Sequence, residues 1–107
     1  MGIMEMSDAQ INLAIAKIEY PDKEVGSLDN GSAFIVYHPT SGVKNYIKYW
    51  GDIGPIIERE KIDLHYEPMV DGKDWHAASC GNIAEVWADT PTKAAALCYL
   101  RIKGVEL

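Results

Sequence analysis

Basic residues are scarce in this chain: ten lysines and arginines stand against sixteen aspartates and glutamates, a net charge of -6 over 107 residues. A surface of that balance repels a phosphate backbone, so binding of DNA or RNA through a basic face is not expected. The carboxylates are dispersed rather than arrayed, which also weighs against an acidic imitation of nucleic acid. Cysteine is nearly absent. Cys80 falls in an expected turn and Cys98 in an apolar helix, with no secretory signal before them, so the chain reads as a reduced, cytoplasmic protein without a disulfide framework. No apolar run approaches the roughly 20 residues that a membrane span needs, and no membrane partner is expected. The opening Met1 to Met6 lacks the Ser or Thr that myristoylation requires at its sixth position and reads as a frayed leader. Gly26, Gly31 and Gly42 do not build a phosphate loop, because none has the glycine spacing with a following Lys and Ser or Thr. No catalytic signature is present, and no cofactor or metal is expected.

What is present is a foldable pattern. A hydrophobic content of 48% is enough for one compact domain over residues 1–107 without staples. The clearest element is Asp89 to Gly104, a helix with both ends encoded: Thr90 can cap it, Pro91 falls where its missing N–H costs nothing, and Gly104 suits a left-handed terminator. Between them Ala94 to Leu100 is an unbroken apolar run, too wide for one stripe, so other elements must cover most of this helix. Near the start, Ser7-Asp8-Ala9-Gln10 is a capping box, Met6 and Ile11 form a staple, and Ile11, Ala14, Ile15 and Ile18 recur at helical spacing until Tyr20-Pro21 stops the helix.

Asn30-Gly31 signals a hairpin into a strand at Ala33 to Tyr37, which His38-Pro39-Thr40-Ser41-Gly42 closes. A second helix is expected from about Asp52 to Lys61, with Pro55 in its first turn and Ile53, Ile56 and Ile57 on one face. Asp71-Gly72 and Gly81-Asn82 each suit a two-residue hairpin loop, which predicts a three-stranded meander over 62–70, 73–80 and 83–88. Pro68 pushes the first of these strands toward an edge or a bulge. The expected class is therefore α+β: an antiparallel sheet of about four to five strands packed by three helices, in the order α-β-(β)-α-β-β-β-α.

Counting outward from the two turns separates the meander's faces. Leu64, Tyr66, Trp75, Ala77, Val86 and Ala88 share the side that should receive the last helix. The other side collects Glu67, His76 and Trp87 in one cross-strand row and His65, Ala78 and Glu85 in the next, with Asp74 nearby. A one-residue slip would exchange the faces.

The order of these motifs resembles a known family. The opening Met6-Ser7-Asp8-Ala9-Gln10-Ile11-Asn12, the central Pro55-Ile56-Ile57 with Ile62 and Leu64, Trp75 with Ala77, and the closing Asp89-Thr90-Pro91-Thr92-Lys93-Ala94-Ala95 are similar to the NinX-like small phage proteins, which are related to the phage α/β/α-sandwich domain. The chain departs from the family pattern at Thr90, where Asn is common before the proline, and at Gly54, where Trp is common. The resemblance implies a bacteriophage or prophage origin, an α+β fold and no particular activity. A sandwich arrangement would place the polar cluster partly beneath a helix.

Two patches carry the functional expectations. His65, Glu67, His76 and Glu85 are residue types that suit a metal or acid–base chemistry, although their spacing matches no standard ligand motif. A solvated sheet face with favourable His and Glu pairs is the plainer reading. Ser79 and Cys80 precede a glycine turn, but a regular strand would hold Cys80 beyond hydrogen-bond reach of His76, so a covalent hydrolase is not expected. The stretch Val43 to Trp50 mixes Tyr46, Tyr49 and Trp50 with Lys44 and Lys48, as recognition loops do. A strand with its aromatics packed inward is the plainer alternative, and periodicity does not decide between strand and loop. The preferred expectation is a non-enzymatic phage accessory protein binding a host or phage protein, or a small ligand, through Tyr46, Tyr49, Trp50, His65, Glu67, His76, Glu85 and Trp87. The alternative is a small hydrolase-like or metal-dependent enzyme centred on His65, Glu67 and His76. The edge of the meander's third strand offers a route to a homodimer, modestly guarded by Glu85.

Overall fold

The computed structural model describes residues 6–37, 40–79 and 84–105. In chain order these form α1 (Asp8–Glu19), β1 (Glu24–Ser27), β2 (Ala33–Val36), β3 (Ser41–Lys44), α2 (Trp50–Glu60), β4 (Ile62–Tyr66), β5 (Trp75–Ser79), β6 (Ala84–Ala88) and α3 (Pro91–Ile102). The class is α+β with three helices, as the pattern implied. The single sheet of four to five strands is replaced by two three-stranded antiparallel sheets, β1-β2-β3 and β4-β5-β6. Each has its own helix: α1 packs on β1 and β2, α3 packs on all three strands of the second sheet, and both α1 and α2 pack on α3.

The extra strand and its end are local features. Ser41-Gly42, read as strand-closing residues, instead pair with Val36 and Ile35 as β3. That strand ends at Lys44 because the next residue is held from both sides: the Asn45 N–H donates to Asp52 Oδ2 at 2.8 Å, and its side chain joins a buried amide network. The chain therefore turns through Asn45 to Tyr49 into α2. This helix begins at Trp50, two residues before the expected start, so Pro55 lies in its second turn and removes the bond to the Gly51 carbonyl. Lys61 ends it in the left-handed region at φ 56°.

The caps are as the sequence implied. Ser7 and Gln10 form the reciprocal capping box on α1, Thr90 Oγ1 accepts the Lys93 N–H at the start of α3, and Gly104 takes φ 74° beyond its end. Met6, read as the end of a leader, is buried with Ile11 in the core, while residues 1–5 lie outside the described ones. The Asn30-Gly31 hairpin also forms. Leu28 and Ser32 close it around a three-residue loop, with the Gly31 N–H donating to the Leu28 carbonyl and Gly31 at φ 89°.

Trp75, Ala77 and Ser79 of β5 stand opposite Ala88, Val86 and Ala84 of β6, the register counted from Gly81-Asn82, although that turn lies outside the described residues, as do Cys80, His38 and Pro39. The β4–β5 register is shifted by two positions: His65, not Glu67, stands opposite His76, and Leu64 stands opposite Ala77. Counting from a two-residue Asp71-Gly72 loop would place Pro68 inside the ladder, where it has no N–H to give. Instead the last rung is the Glu67 N–H to the Asp74 carbonyl at 2.8 Å, and Pro68 falls just beyond it. An even shift conserves the faces, so Ala77, Val86 and Ala88 are buried beneath α3 as expected, joined by Ala84, while Leu64 and Trp75 are half-buried against the core. Tyr66 is the exception on that side. It sits at the end of β4, largely exposed, its ring tilted against Trp75 at 5.2 Å.

Candidate functional site

On the outer face of the second sheet, the corrected register makes His65, His76 and Trp87 one cross-strand row and Asp63, Ala78 and Glu85 the next. The His76 and Trp87 rings stack at 4.6 Å with 30° between planes, which half-buries both side chains. His76 Nε2 lies 3.2 Å from Glu85 Oε1, close enough for an ion pair when the imidazole is protonated, but it has no well-formed hydrogen bond. His65, Glu67 and Glu85 are exposed, so this face is open to solvent rather than roofed by a helix. Glu67 lies past the end of β4 and outside the His76 row, because its N–H is the one that closes the ladder against Asp74. Among the described residues no group of three or more His, Cys, Asp or Glu side chains is arranged to hold a metal ion.

The stretch from Val43 to Trp50 is partly strand, partly turn and partly helix start, and it separates its aromatics. Tyr46 is buried at 2% exposure, and burial, with lesser help from nearby negative charge, holds its hydroxyl pKa well above the ordinary range. Tyr49 and Trp50 are each 53% exposed, at the N-cap and first residue of α2. The Lys48 ammonium stands 5.4 Å from the Tyr49 ring centre, and Lys44 lies 3.7 Å from Asp52. Two aromatics and a lysine thus face outward together, and Tyr46 belongs to the core beneath them.

Two polar clusters escaped sequence reasoning. In the first, the fully buried Asn12 donates to the Gly31 carbonyl at 2.8 Å and to Asn45 Oδ1 at 3.1 Å, and accepts the Tyr46 N–H at 2.8 Å. Asn45 in turn donates to Ser32 Oγ at 3.3 Å. This amide pair ties α1 to the β1–β2 turn and to the β3–α2 turn. In the second, the Arg59 guanidinium grips Glu19 with two bonds of 3.0 and 2.9 Å and reaches Glu60 at 2.9 Å. Tyr99, buried in α3, donates its hydroxyl to Glu19 and accepts from Arg59 at 3.1 Å. Burial alone would raise the Glu19 pKa, but the donors Arg59 and Tyr99, with the charges of Arg59 and Lys103, outweigh it and leave the carboxyl below its ordinary value. For Tyr99, burial and the bond to Glu19 push the pKa the other way, well above the ordinary range.

A signal for the second cluster exists in hindsight. A glutamate in the last turn of a helix opposes the helix dipole, and a tyrosine inside an otherwise apolar helix needs a partner for its hydroxyl. Nothing local connects residues 40 and 80 positions apart. Cys98 is simpler: burial pushes its thiol pKa up to about 11, which makes it an inert core residue.

Three helices on two small antiparallel sheets, with two bonded polar clusters where elements meet and an aromatic and imidazole surface outside, define a small α+β protein. The family model for bacteriophage P22 NinX matches residues 3–103, so the chain belongs to the phage P22 NinX family. No curated protein matches it. Among the described residues no helix is long and apolar enough to cross a membrane.

Proposed function

We propose that this protein is a non-enzymatic phage or prophage accessory protein that binds a host or phage protein, or a small ligand, in the bacterial cytoplasm. The observation that carries the reading is the contrast in exposure. Tyr49, Trp50 and His65 are presented to solvent on ordered elements, whereas catalysis is favoured by a closed, water-excluding site in which charges interact strongly. Exposed Tyr and Trp supply a large contact area with little side-chain entropy to lose, and Trp and Tyr recur among residues that dominate binding energy. A net charge of -6 supports a partner other than nucleic acid or an anionic membrane surface. The edge strand β6, carrying Glu85, supports a homodimer as a further arrangement.

The test is capture from host cells with tag-free detection, comparing the native chain with Trp50→Ala, Tyr49→Ala and His76→Ala, alongside native mass spectrometry of the purified protein for a copurifying small molecule. A specific partner weakened about tenfold or more by Trp50→Ala or Tyr49→Ala supports the proposal. No partner and no bound molecule would sink it. A second reading, a small hydrolase-like or metal-dependent enzyme centred on His65, Glu67 and His76, draws on the His76–Glu85 contact. Zinc retained by tag-free protein and lost in His76→Ala would favour it.

A further inference from the structure

The connection from β4 to β5 should have been a tight two-residue turn, and it is not. Beyond the Glu67–Asp74 rung the chain runs through a six-residue loop pinned by its own polar groups. Asp74 Oδ1 accepts the Met69 N–H at 2.8 Å, Asp71 Oδ1 accepts the Lys73 N–H at 3.0 Å, and the Gly72 N–H donates to the Met69 carbonyl at 3.2 Å, with Gly72 at φ 78°. A tight hairpin would have drawn Met69 and Val70 into the ladder opposite Asp74 and Lys73. In the pinned loop they stand clear of it: Met69 is 45% exposed and Val70 110%, more than in an extended reference chain. Tyr66, 54% exposed, lies at the loop's base against Trp75.

The loop's two aspartates are thus used to hold the backbone, and its apolar side chains are left outside. Exposed apolar surface on an ordered projection is the form that insertion into a concave partner takes, because the ordering cost is met before binding. Charge narrows the partner. Glu67, Asp71 and Asp74 flank the apolar pair along the chain with Lys73 between them, and Asp89 and Lys93 line a cavity beside Asp71 and Lys73, so carboxylates outnumber cations around the loop on a chain that is itself acidic. A second copy or an anionic lipid surface would meet like charge there, while a basic rim would be attracted.

We propose that Met69 and Val70, held out by the Asp71 and Asp74 backbone bonds, form a preorganised plug that inserts into an apolar pocket rimmed by lysine or arginine on a partner protein. This rests on the binding reading above and adds a second contact surface and the chemistry of the partner's pocket to it.

The experiment replaces Val70, Trp50 and, as a control on the exposed face of α1, Lys17 one at a time with photo-reactive p-benzoylphenylalanine in the full chain, and irradiates in the bacterial host. The expected result is one discrete adduct from position 70, absent from position 17, whose linked residues lie in an apolar pocket flanked by basic side chains. The captured protein is then purified and titrated. Val70→Asp should weaken it at least about 30-fold, the loss that marks an interface hot spot. Asp74→Ala, which keeps both apolar side chains but frees the Met69 N–H, should weaken it about threefold to tenfold, and rising salt should weaken the native pair further. Adducts from position 70 that scatter as those from position 17 do, that join only a second copy, or that identify a partner indifferent to Val70→Asp would overturn the plug. If position 50 still gave a discrete partner, the binding reading would stand without it; no adduct from either position would overturn both.

Discussion

The polar side chains where elements meet differ in one respect from those on the outer face of the second sheet, and the difference bears on what holds the fold. The Asn12–Asn45 and Glu19–Arg59–Tyr99 clusters lie where elements meet, with each central group bonded to the next. The His65–His76–Trp87 row lies on a sheet face that no other described element covers, with His65 exposed and His76 stacked on Trp87. Buried polar groups cost stability unless they are partnered, so a closed cluster specifies how α1, α2 and α3 sit together. An open one has contributed little to that and is available for contact.

The comparison can be broken from its interior first. Leu97→Ala or Leu100→Ala, in the fully covered middle of α3, should lower the unfolding free energy by about 2 to 5 kcal/mol in a urea titration. Asn12→Ala comes next, at about 2 to 3 kcal/mol, because it strands the Tyr46 N–H and the Asn45 amide at once. A loss no larger than that of a surface substitution would show that the amide pair does not join the helices.

The Glu19 cluster gives a smaller effect with a pH signature. Its carboxyl is held below the ordinary glutamate value, so its contribution is complete above that value and is lost as pH falls through the lower native value. Melting followed from pH 6 downward should therefore fall less steeply for Glu19→Gln than for the native chain. Arg59 is half exposed, so Arg59→Ala should cost only about 1 kcal/mol. The smallest effect belongs outside: His76→Ala should change stability by a few tenths to about 1 kcal/mol, the worth of one cross-strand pair.

Legibility in the sequence follows the same division. Both ends of α3 could be read from Thr90, Pro91 and Gly104 because capping is a local interaction, and the β5–β6 register could be counted because the strands on both sides alternate cleanly. Asn12 could not be read. On a helix with Ile11 and Ile15 a polar residue looks solvent-facing, and its partners Gly31, Asn45 and Tyr46 come from distant turns. The β4–β5 turn is not legible locally: Asp71-Gly72 is a strong signal for a tight turn, while Pro68 and the reach of Asp74 to Met69 decide the loop. At the candidate site the residue types were legible and the exposure was not: Tyr46, Tyr49 and Trp50 are neighbours in sequence, yet only the last two face outward, since that depends on where β3 stops and α2 begins.

The most direct test of this division is thermal unfolding of Trp50→Ala beside Asn12→Ala. Trp50→Ala should melt within about 2 °C of the native chain, since exposed residues contribute little, while Asn12→Ala should melt roughly 10 °C lower. A Trp50→Ala protein as destabilised as Asn12→Ala would contradict the account, by placing the outward aromatic among the groups that hold the fold.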